Sequence, residues 1–324
     1  MKTKALVLQA LEANRGNAVS GEALAEMLAV SRTSVWKAVR ELQKEGYRIS
    51  AVQNKGYTLD TDQHMLSECG VRAYLRHADI PVFVERELVS TNNTAKHLAS
   101  EGAAHGTLIA ADFQTGGRGR RGRSFLSPPG TGLYMSMVLR GGIPTQDAVL
   151  ITSAAAVAVS RAVEKVAGKR LDIKWVNDLY YKGKKCCGIL TEAQADLETS
   201  NVEFLVVGIG INLLDPPEGW PETLRDVATS VFERGETVDR CQLVAAVADE
   251  LLDLWAALPD TSFMAEYRDR NIVPGRIVQI LQSGIQRTGE ALDITDEGHL
   301  RVRLADGAEE VLSFGEVSIR LDPT

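Results

Sequence analysis

Apolar residues recur at helical spacing from the start of the chain. Leu8 and Leu11 follow Lys4, and Leu24, Met27 and Leu28 form the inner face of a second helix opened by Val19-Ser20-Gly21-Glu22. Ala29-Val30 makes a tight turn and Ser31 is placed to cap a third helix. In that helix Val35, Val39 and Leu42 repeat at i, i+4 and i+7, with Trp36 assigned to the core, and Gly46 marks its end. Arg32, Thr33, Lys37 and Arg40 fall on a face left free. Tyr47–Val52 then alternates like a strand, Asn54-Lys55-Gly56 turns, and Tyr57-Thr58-Leu59 returns. The pattern predicts a winged helix-turn-helix domain over residues 1–62, a fold that can set its second motif helix in a DNA major groove.

Beyond this head the pattern changes to mixed α/β. Phe83–Val89, Thr107–Asp112, Gly132–Leu139, Leu171–Trp175, Gly188–Glu192 and Glu203–Ile209 read as strands. Thr94–Ser100, Ala148–Val166 and Cys241–Leu258 read as helices, and Pro216-Pro217 with Gly219 marks a loop. From Ile272 onward five short strands are predicted: Arg276–Gln282, Gly289–Thr295, Leu300–Leu304, Glu310–Phe314 and Glu316–Leu321. Their spacing points to a small β-barrel. The expected class is α/β (α+β), with a head at 1–62, a mixed-sheet domain at 63–270 and a β domain at 271–324.

Charge sharpens this division. Residues 1–60 hold nine Lys/Arg against six acids, a net +3, within a 324-residue chain of net charge −7. A basic head on an acidic body fits an anionic partner such as nucleic acid, with Arg32, Thr33, Lys37, Arg40 and Lys55 as candidate DNA contacts. A head used for protein contacts, with its charges solvated, is the other reading. Apolar residues at 44% and charged residues at 24% argue against disorder, collagen or a disulfide scaffold. No run reaches the ~20 apolar residues of a membrane span, and MKTKALVLQALEA does not read as a signal peptide. Cys69, Cys186, Cys187 and Cys241 form no C-x-x-C pair, which points to a reduced, cytoplasmic chain without structural zinc.

The most informative stretch is Gly116-Gly117-Arg118-Gly119-Arg120-Arg121-Gly122-Arg123. Gly117, Gly119 and Gly122 satisfy G-x-G-x-x-G, but arginines fill the variable positions and Ser-Pro-Pro-Gly follows where a helix is needed, which rules out a dinucleotide fingerprint. The stretch reads as a cationic loop whose glycines admit close approach and whose arginines suit carboxylate and phosphate. It is expected to be mobile when empty and ordered by an anion. Composition alone does not separate this from an RNA-binding or solvated loop. Its surroundings do: Ser90-Thr91-Asn92-Asn93 before a helix, Lys174-Trp175-Val176-Asn177-Asp178, Lys185, Gly188, and Gly208-Ile209-Gly210-Ile211-Asn212. Hydroxyls, amides and cations at strand ends are what a polar carboxylic acid plus ATP require.

The combination S-T-N, G-R-G-R-x-G-R, K-W-x-N-D and G-I-N resembles the biotin–protein ligases. With the winged helix the whole chain resembles the bacterial bifunctional ligases that also repress biotin-synthesis genes. The resemblance implies a class II synthetase-like catalytic domain and an SH3-like C-terminal barrel. It implies formation of biotinyl-5′-AMP from biotin and ATP with Mg²⁺, then transfer of biotin to one lysine of a biotin carboxyl carrier protein. It also implies a ligand-bound homodimer on operator DNA. Ser90, Thr91, Asn92, Gln114, Arg118, Arg120, Arg121, Gly122, Lys185, Gly188 and Gly210 match biotin positions. Gly117, Arg120, Arg121, Asn177, Lys185, Asn212, Glu316 and Arg320 match the ATP side. Arg118, Arg120, Lys185 and Asp178 match catalytic positions, Asn177 and Asp178 lying on the magnesium side. No His/Cys metal cluster is expected. Three other readings stay open: a ligase whose head no longer regulates biotin genes, a ligand-sensing regulator with an inactive ligase site, and the sister lipoate ligases, which lack this head and loop.

Physical chemistry fits these roles. A carboxylate attacking an α-phosphate joins two anions, and Arg118, Arg120, Lys185 and Mg²⁺ would offset the repulsion. The acceptor lysine, with a reference pKa of about 10.4, must lose a proton, and Asp178 is a candidate base in competition with its magnesium role. Two departures stand out: Val176 where the family often has proline, and Phe125 where it often has tryptophan, which keeps stacking but loses an N–H donor. Cys186-Cys187 and Trp175 read as packing residues.

Overall fold

A computed structural model describes residues 3–52, 55–60, 65–141, 148–195, 202–282, 285–313 and 315–319. They gather into two compact units, one of residues 1–78 with 237–245 and one of residues 79–236 with 246–324.

The first unit carries α1 (Thr3–Ala13), α2 (Gly21–Met27), α3 (Arg32–Lys44), the ribbon β1 (Ile49–Val52) and β2 (Gly56–Leu59), and α4 (Glu68–Tyr74). Ser20 and Ser31 cap α2 and α3 by accepting from the backbone N–H groups of Ala23 and Ser34. Ala29 at φ 51° makes the turn between them and Gly46 at φ 100° ends α3. Val7, Leu11, Leu24, Val35, Val39, Leu42, Ile49 and Leu59 form one core, and Ile49 pairs with Leu59 across the antiparallel ribbon. Two sequence readings are corrected here. Met27, expected inside, is 61% exposed at the end of α2, and Trp36, expected in the core, is 52% exposed on α3. Val35, Ala38, Val39 and Leu42 already fill the inner stripe of α3, so the helical period turns Trp36 outward. The short helix α4 escaped the pattern reading. Its Gly70 backs onto the buried Cys241, where a Cβ would meet Sγ at 2.6 Å.

The second unit is built on a seven-stranded sheet: β3 (Val82–Leu88), β4 (Leu108–Gln114), β5 (Gly132–Leu139), β6 (Asp172–Lys174), β7 (Asp178–Tyr181), β8 (Lys184–Ala195) and β9 (Val202–Asn212). The spatial order is β3-β4-β5-β9-β8-β7-β6, with β3 and β4 parallel and the other pairs antiparallel. All eight residues of β5 are buried, which a strand covered on both faces requires. Helix α5 (Thr91–Ser100) packs on β4, β5 and β9, and the Ala/Val-rich α6 (Ala148–Ala167) packs on β8. Helices α7 (Arg240–Ala257) and α8 (Met264–Asp269) follow. Strand β7 was missed in the sequence because it is short and follows a polar motif; Lys182 at φ 49° and Gly183 at φ 78° make the turn after it.

The chain then forms β10 (Ile277–Gln282), β11 (Ile285–Ile294), β12 (Leu300–Leu304), β13 (Glu309–Leu312) and β14 (Glu316–Ile319). These make an antiparallel sheet in the order β13-β12-β11-β10-β14. The turn before β12 reaches the large sheet: the Trp175 indole N–H donates to the Gly298 carbonyl at 2.9 Å. Trp175 is buried, as expected, and residues 283–284 between β10 and β11 lie outside the described residues.

Candidate active site

A cavity of about 420 Å³ opens where the ends of β3, β4, β7, β8 and β9 meet the glycine–arginine loop and β14. One wall is the β3–α5 junction. Ser90, Thr91 and Asn92 are buried there although polar, so each needs a partner. The Gln114 side-chain carbonyl accepts from the Thr91 backbone N–H at 2.8 Å and from its hydroxyl at 3.2 Å. Its amide donates to Ser127 Oγ at 3.0 Å. The Asn92 amide donates to Leu190 O and to Glu192 Oε2, and its oxygen accepts from Ser136 Oγ at 2.7 Å. Asn92 thus lines the cavity with its polar atoms engaged by protein. It also fills the space over Gly208, where a Cβ would lie 1.8 Å from Asn92 Oδ1.

The loop Gly116–Arg123 forms the lid of this cavity. Gly119 N donates to Arg123 O at 2.7 Å and Phe125 N to Gly117 O at 2.9 Å, so the loop folds back on itself. Arg121 stands at φ 55°, inside a single 3₁₀ turn. Three of its arginines reach other parts of the fold. Arg118 Nη1 donates to Asn93 Oδ1 at 2.9 Å and lies 3.5 Å from Glu192 Oε1. Arg120 Nη1 donates to Asn177 Oδ1 at 2.8 Å and Nη2 to Gly315 O at 3.2 Å. Arg121 donates to Leu281 O at 3.3 Å on β10.

The opposite wall carries the β6–β7 turn and β8. Lys185 Nζ and Asp178 Oδ1 are 2.5 Å apart, both half-buried. Asn177 exchanges two bonds with Ile189: its side chain donates to Ile189 O and its backbone oxygen accepts from Ile189 N, each at 2.9 Å. Gly188 and Gly210 form the floor under the Phe125 ring. A Cβ on Gly210 would lie 2.7 Å from that ring, and one on Gly188 would lie 3.4 Å from both the ring and Lys185 Nζ. Asn212 closes the floor, donating to Thr229 O.

Most of the sequence-expected residues therefore converge: Ser90, Thr91, Asn92 and Gln114 on one wall, Arg118 and Arg120 above, Asn177, Asp178 and Lys185 opposite, Gly188, Gly210 and Asn212 below. Gly117, Arg121 and Gly122 do not line the cavity. Gly117 packs on the loop's own return, where a Cβ would meet Phe125 O at 2.4 Å. Glu316 stands on β14 between Gly315 and Val317, which do line it; its side chain and Arg320 are outside the described residues.

The sequence reading missed an apolar flank made of Trp220, Leu224, Val227 and Ala228. This segment runs beside Lys185, which donates its backbone N–H to Val227 O and accepts from Thr229 N, each at 2.9 Å. The i, i+4, i+7, i+8 spacing of those four apolar residues was the available signal. Also missed was Glu192, which pairs with Lys96 at 2.8 Å. Burial works to raise its pKa, but hydrogen bonds from Lys96 and Asn92 and the Arg118 charge outweigh that and hold the carboxyl below the usual range. A site with hydroxyls, amides and Arg118 at one end and Arg120 and Lys185 at the other can hold one polar ligand and neutralise anionic groups beside it.

On the head, Arg32, Thr33, Lys37 and Arg40 are exposed on α3 and Lys55 is exposed at the ribbon turn. Together they form one candidate nucleic-acid surface.

Comparison with known proteins agrees with this geometry. The model of the biotin/lipoate A/B protein ligase family matches residues 84–212, an HTH domain model matches 3–58, and the biotin protein ligase C terminal domain matches 274–320. The chain is 39% identical to the bifunctional ligase/repressor BirA of Bacillus subtilis (strain 168), over 91% of this chain and 92% of that protein. It is 29% identical to the BirA of Escherichia coli (strain K12), covering 98% of both. The solved biotin protein ligase from Aquifex aeolicus in complex with biotin and ATP aligns with a TM-score of 0.62 at 28% identity, covering 74% of this chain and 98% of that one. The chain belongs to the biotin/lipoate A/B protein ligase family and, within it, to the biotin–protein ligases that carry an N-terminal helix-turn-helix. No helix of the described residues is long and apolar enough to cross a membrane.

Proposed function

We propose that the cavity binds biotin at the Ser90–Thr91–Gln114 wall and ATP toward Asn177, Lys185 and Asn212, and joins them into biotinyl-5′-AMP. The supporting observation is the convergence of Arg118, Arg120 and the Lys185–Asp178 pair on one cavity. The biotin carboxylate is the nucleophile and pyrophosphate leaves, so no enzyme side chain needs to be acylated. Catalysis is then positioning plus stabilisation of charge by Lys185 and the loop arginines. Asp178 holds the Lys185 ammonium in place. The neutral amine of a lysine on a biotin carboxyl carrier protein then attacks the adenylate carbonyl, forming the amide and releasing AMP and a proton, while the loop excludes water.

Among the described residues no cluster of three or more His, Cys, Asp or Glu side chains is set to hold a metal. Mg²⁺ usually binds through one or two carboxylates together with substrate phosphates and waters. Asp178, beside the phosphate end of the cavity, fits that requirement. Carried in with ATP, the ion would neutralise phosphate charge.

We further infer that residues 1–62, 63–270 and 271–324 act as operator-binding head, catalytic domain and nucleotide-side cover. Loop ordering by the adenylate favours a homodimer whose two heads meet a palindromic operator and repress biotin-synthesis genes. ATP–pyrophosphate exchange in the presence of Mg²⁺ and either biotin or lipoate tests the chemistry. Exchange that requires biotin and vanishes in Lys185→Ala is expected. Exchange with lipoate alone moves the chain to the lipoate branch, and none with either leaves a ligand sensor. Sedimentation and footprinting with and without biotin and ATP test the dimer and the operator.

A further inference from the structure

Trp36 is the unexplained residue of the head. It lies 52% exposed at the centre of the outer face of α3, with Arg32 one turn before it and Arg40 one turn after. A tryptophan that size left in water in a helix whose core stripe is complete marks a contact surface. The Arg40 guanidinium sits over its ring, 5.8 Å from the centroid. The ribbon faces the same cleft with Ala51 and Val52, and Val52 is itself 46% exposed. Trp36, Ala51 and Val52 therefore form an apolar strip in a cleft that Arg32 and Glu22 also line, with Arg40 over the Trp36 ring and Lys37 and Lys55 exposed elsewhere on the same helix and ribbon turn.

An apolar strip beside these exposed cations needs a partner that is polyanionic yet offers apolar groups in register. The duplex major groove is such a surface: phosphates border it, and the thymine 5-methyl is its apolar group. Helix α3 is the element this fold places there. We propose that Trp36 is a specificity-determining residue that covers the 5-methyl of a thymine in each half-site, with Val52 closing the contact from the ribbon. Its ring also holds Arg40 in line for the neighbouring base edge. The inference rests on reading α3 as the DNA recognition helix and adds which base it reads and by what chemistry.

The test uses the full chain with biotin, ATP and Mg²⁺ and a pool of random-sequence DNA duplexes. Duplexes enriched by the wild type share half-sites containing a thymine. Each shared thymine is then replaced by deoxyuridine, which lacks only the methyl group. At one position per half-site the replacement weakens wild-type binding about fourfold, the worth of one buried methyl, and leaves Trp36→Ala unchanged. Trp36→Phe keeps part of the penalty, which separates loss of the ring from loss of folding. The dependence of binding on salt is the same for Trp36→Ala and the wild type, whereas Lys37→Ala lowers the slope by about one ion. Biotin-dependent pyrophosphate exchange is the same in all variants. If Trp36→Ala enriches the same duplexes and suffers the same deoxyuridine penalty, the thymine contact is wrong while the recognition-helix reading stands. If the wild type enriches no duplex, both fall.

Discussion

Arg120 and Asn177 are joined by a hydrogen bond, Nη1 to Oδ1 at 2.8 Å, that ties the middle of the glycine–arginine loop to the turn leading into Asp178. The same guanidinium donates to the Gly315 carbonyl before β14. One side chain thus holds the lid to two edges of the cavity. Arg120→Gly leaves Arg118 and Lys185 in place, so adenylate synthesis is expected to continue. Retention is not. Loss of a charged hydrogen-bond pair costs about 1.5 kcal/mol or more, so the half-life of labelled adenylate on the variant falls at least about tenfold. An unchanged half-life in a chase experiment removes Arg120 as the tether.

The floor of the site makes a second, steric prediction. Gly210 faces the Phe125 ring so closely that a Cβ would stand 2.7 Å from it. Gly210→Ala pushes the ring, and the loop that carries it, off the floor. Overpacking of this kind costs about 1–3 kcal/mol, and here it falls on loop closure. The KM for biotin is expected to rise about fivefold or more, with kcat less affected. Phe125→Ala in the Gly210→Ala background removes the collision and recovers part of that loss. Equal steady-state constants for Gly210→Ala and wild type show that the ring does not rest there during turnover.

How far these features were legible in the sequence follows their physical cause. The head was readable because its caps and its Val35–Val39–Leu42 stripe are local, and the error at Trp36 came from assigning a large apolar residue inward against that stripe. The loop and the K-W-x-N-D turn were readable because cations and glycines have few other uses at that density. Gln114 lines the cavity, but its role of holding Thr91 was not legible, because it depends on β4 lying beside the β3 end. The Glu192 network was missed for the same reason. Asn92, Lys96 and Arg118 meet Glu192 only because α5, the loop and β8 converge across long stretches of chain. No local periodicity records that.

The cysteines give a prediction that needs no ligand. Cys186 and Cys187 are fully buried, and Cys241 is nearly so. Burial pushes the Cys186 and Cys241 thiols up to about 12 and raises Cys187 strongly as well. Cys69 is half-buried, and burial raises it more modestly. Thiolate is the reactive form, so an aromatic disulfide reagent at pH 8 is expected to modify Cys69 slowly and the other three only after unfolding in urea. Rapid modification of Cys186 or Cys187 in the native protein, seen by peptide mapping, contradicts their packing role and favours a redox one.

Glu192 links acidity to the site. Burial acts to raise its pKa, yet Lys96, Asn92 and Arg118 together lower it below that of a carboxyl in the unfolded chain. A carboxyl depressed by folding stabilises the fold while ionised, at pH values above its unfolded pKa. That contribution disappears as the pH falls through the lower folded value. Glu192→Gln lacks it at every pH. The urea midpoint of the wild type should exceed that of Glu192→Gln near neutrality, and the gap should close on acidification below the usual carboxylate range. Because Glu192 also positions Asn92 and Arg118 beside the cavity, the variant is expected to raise the KM for biotin with little change in kcat, and Glu192→Asp to restore part of it. A gap that stays constant with pH, or a loss confined to kcat, shows that the Lys96 and Arg118 pairs seen here do not govern this carboxyl.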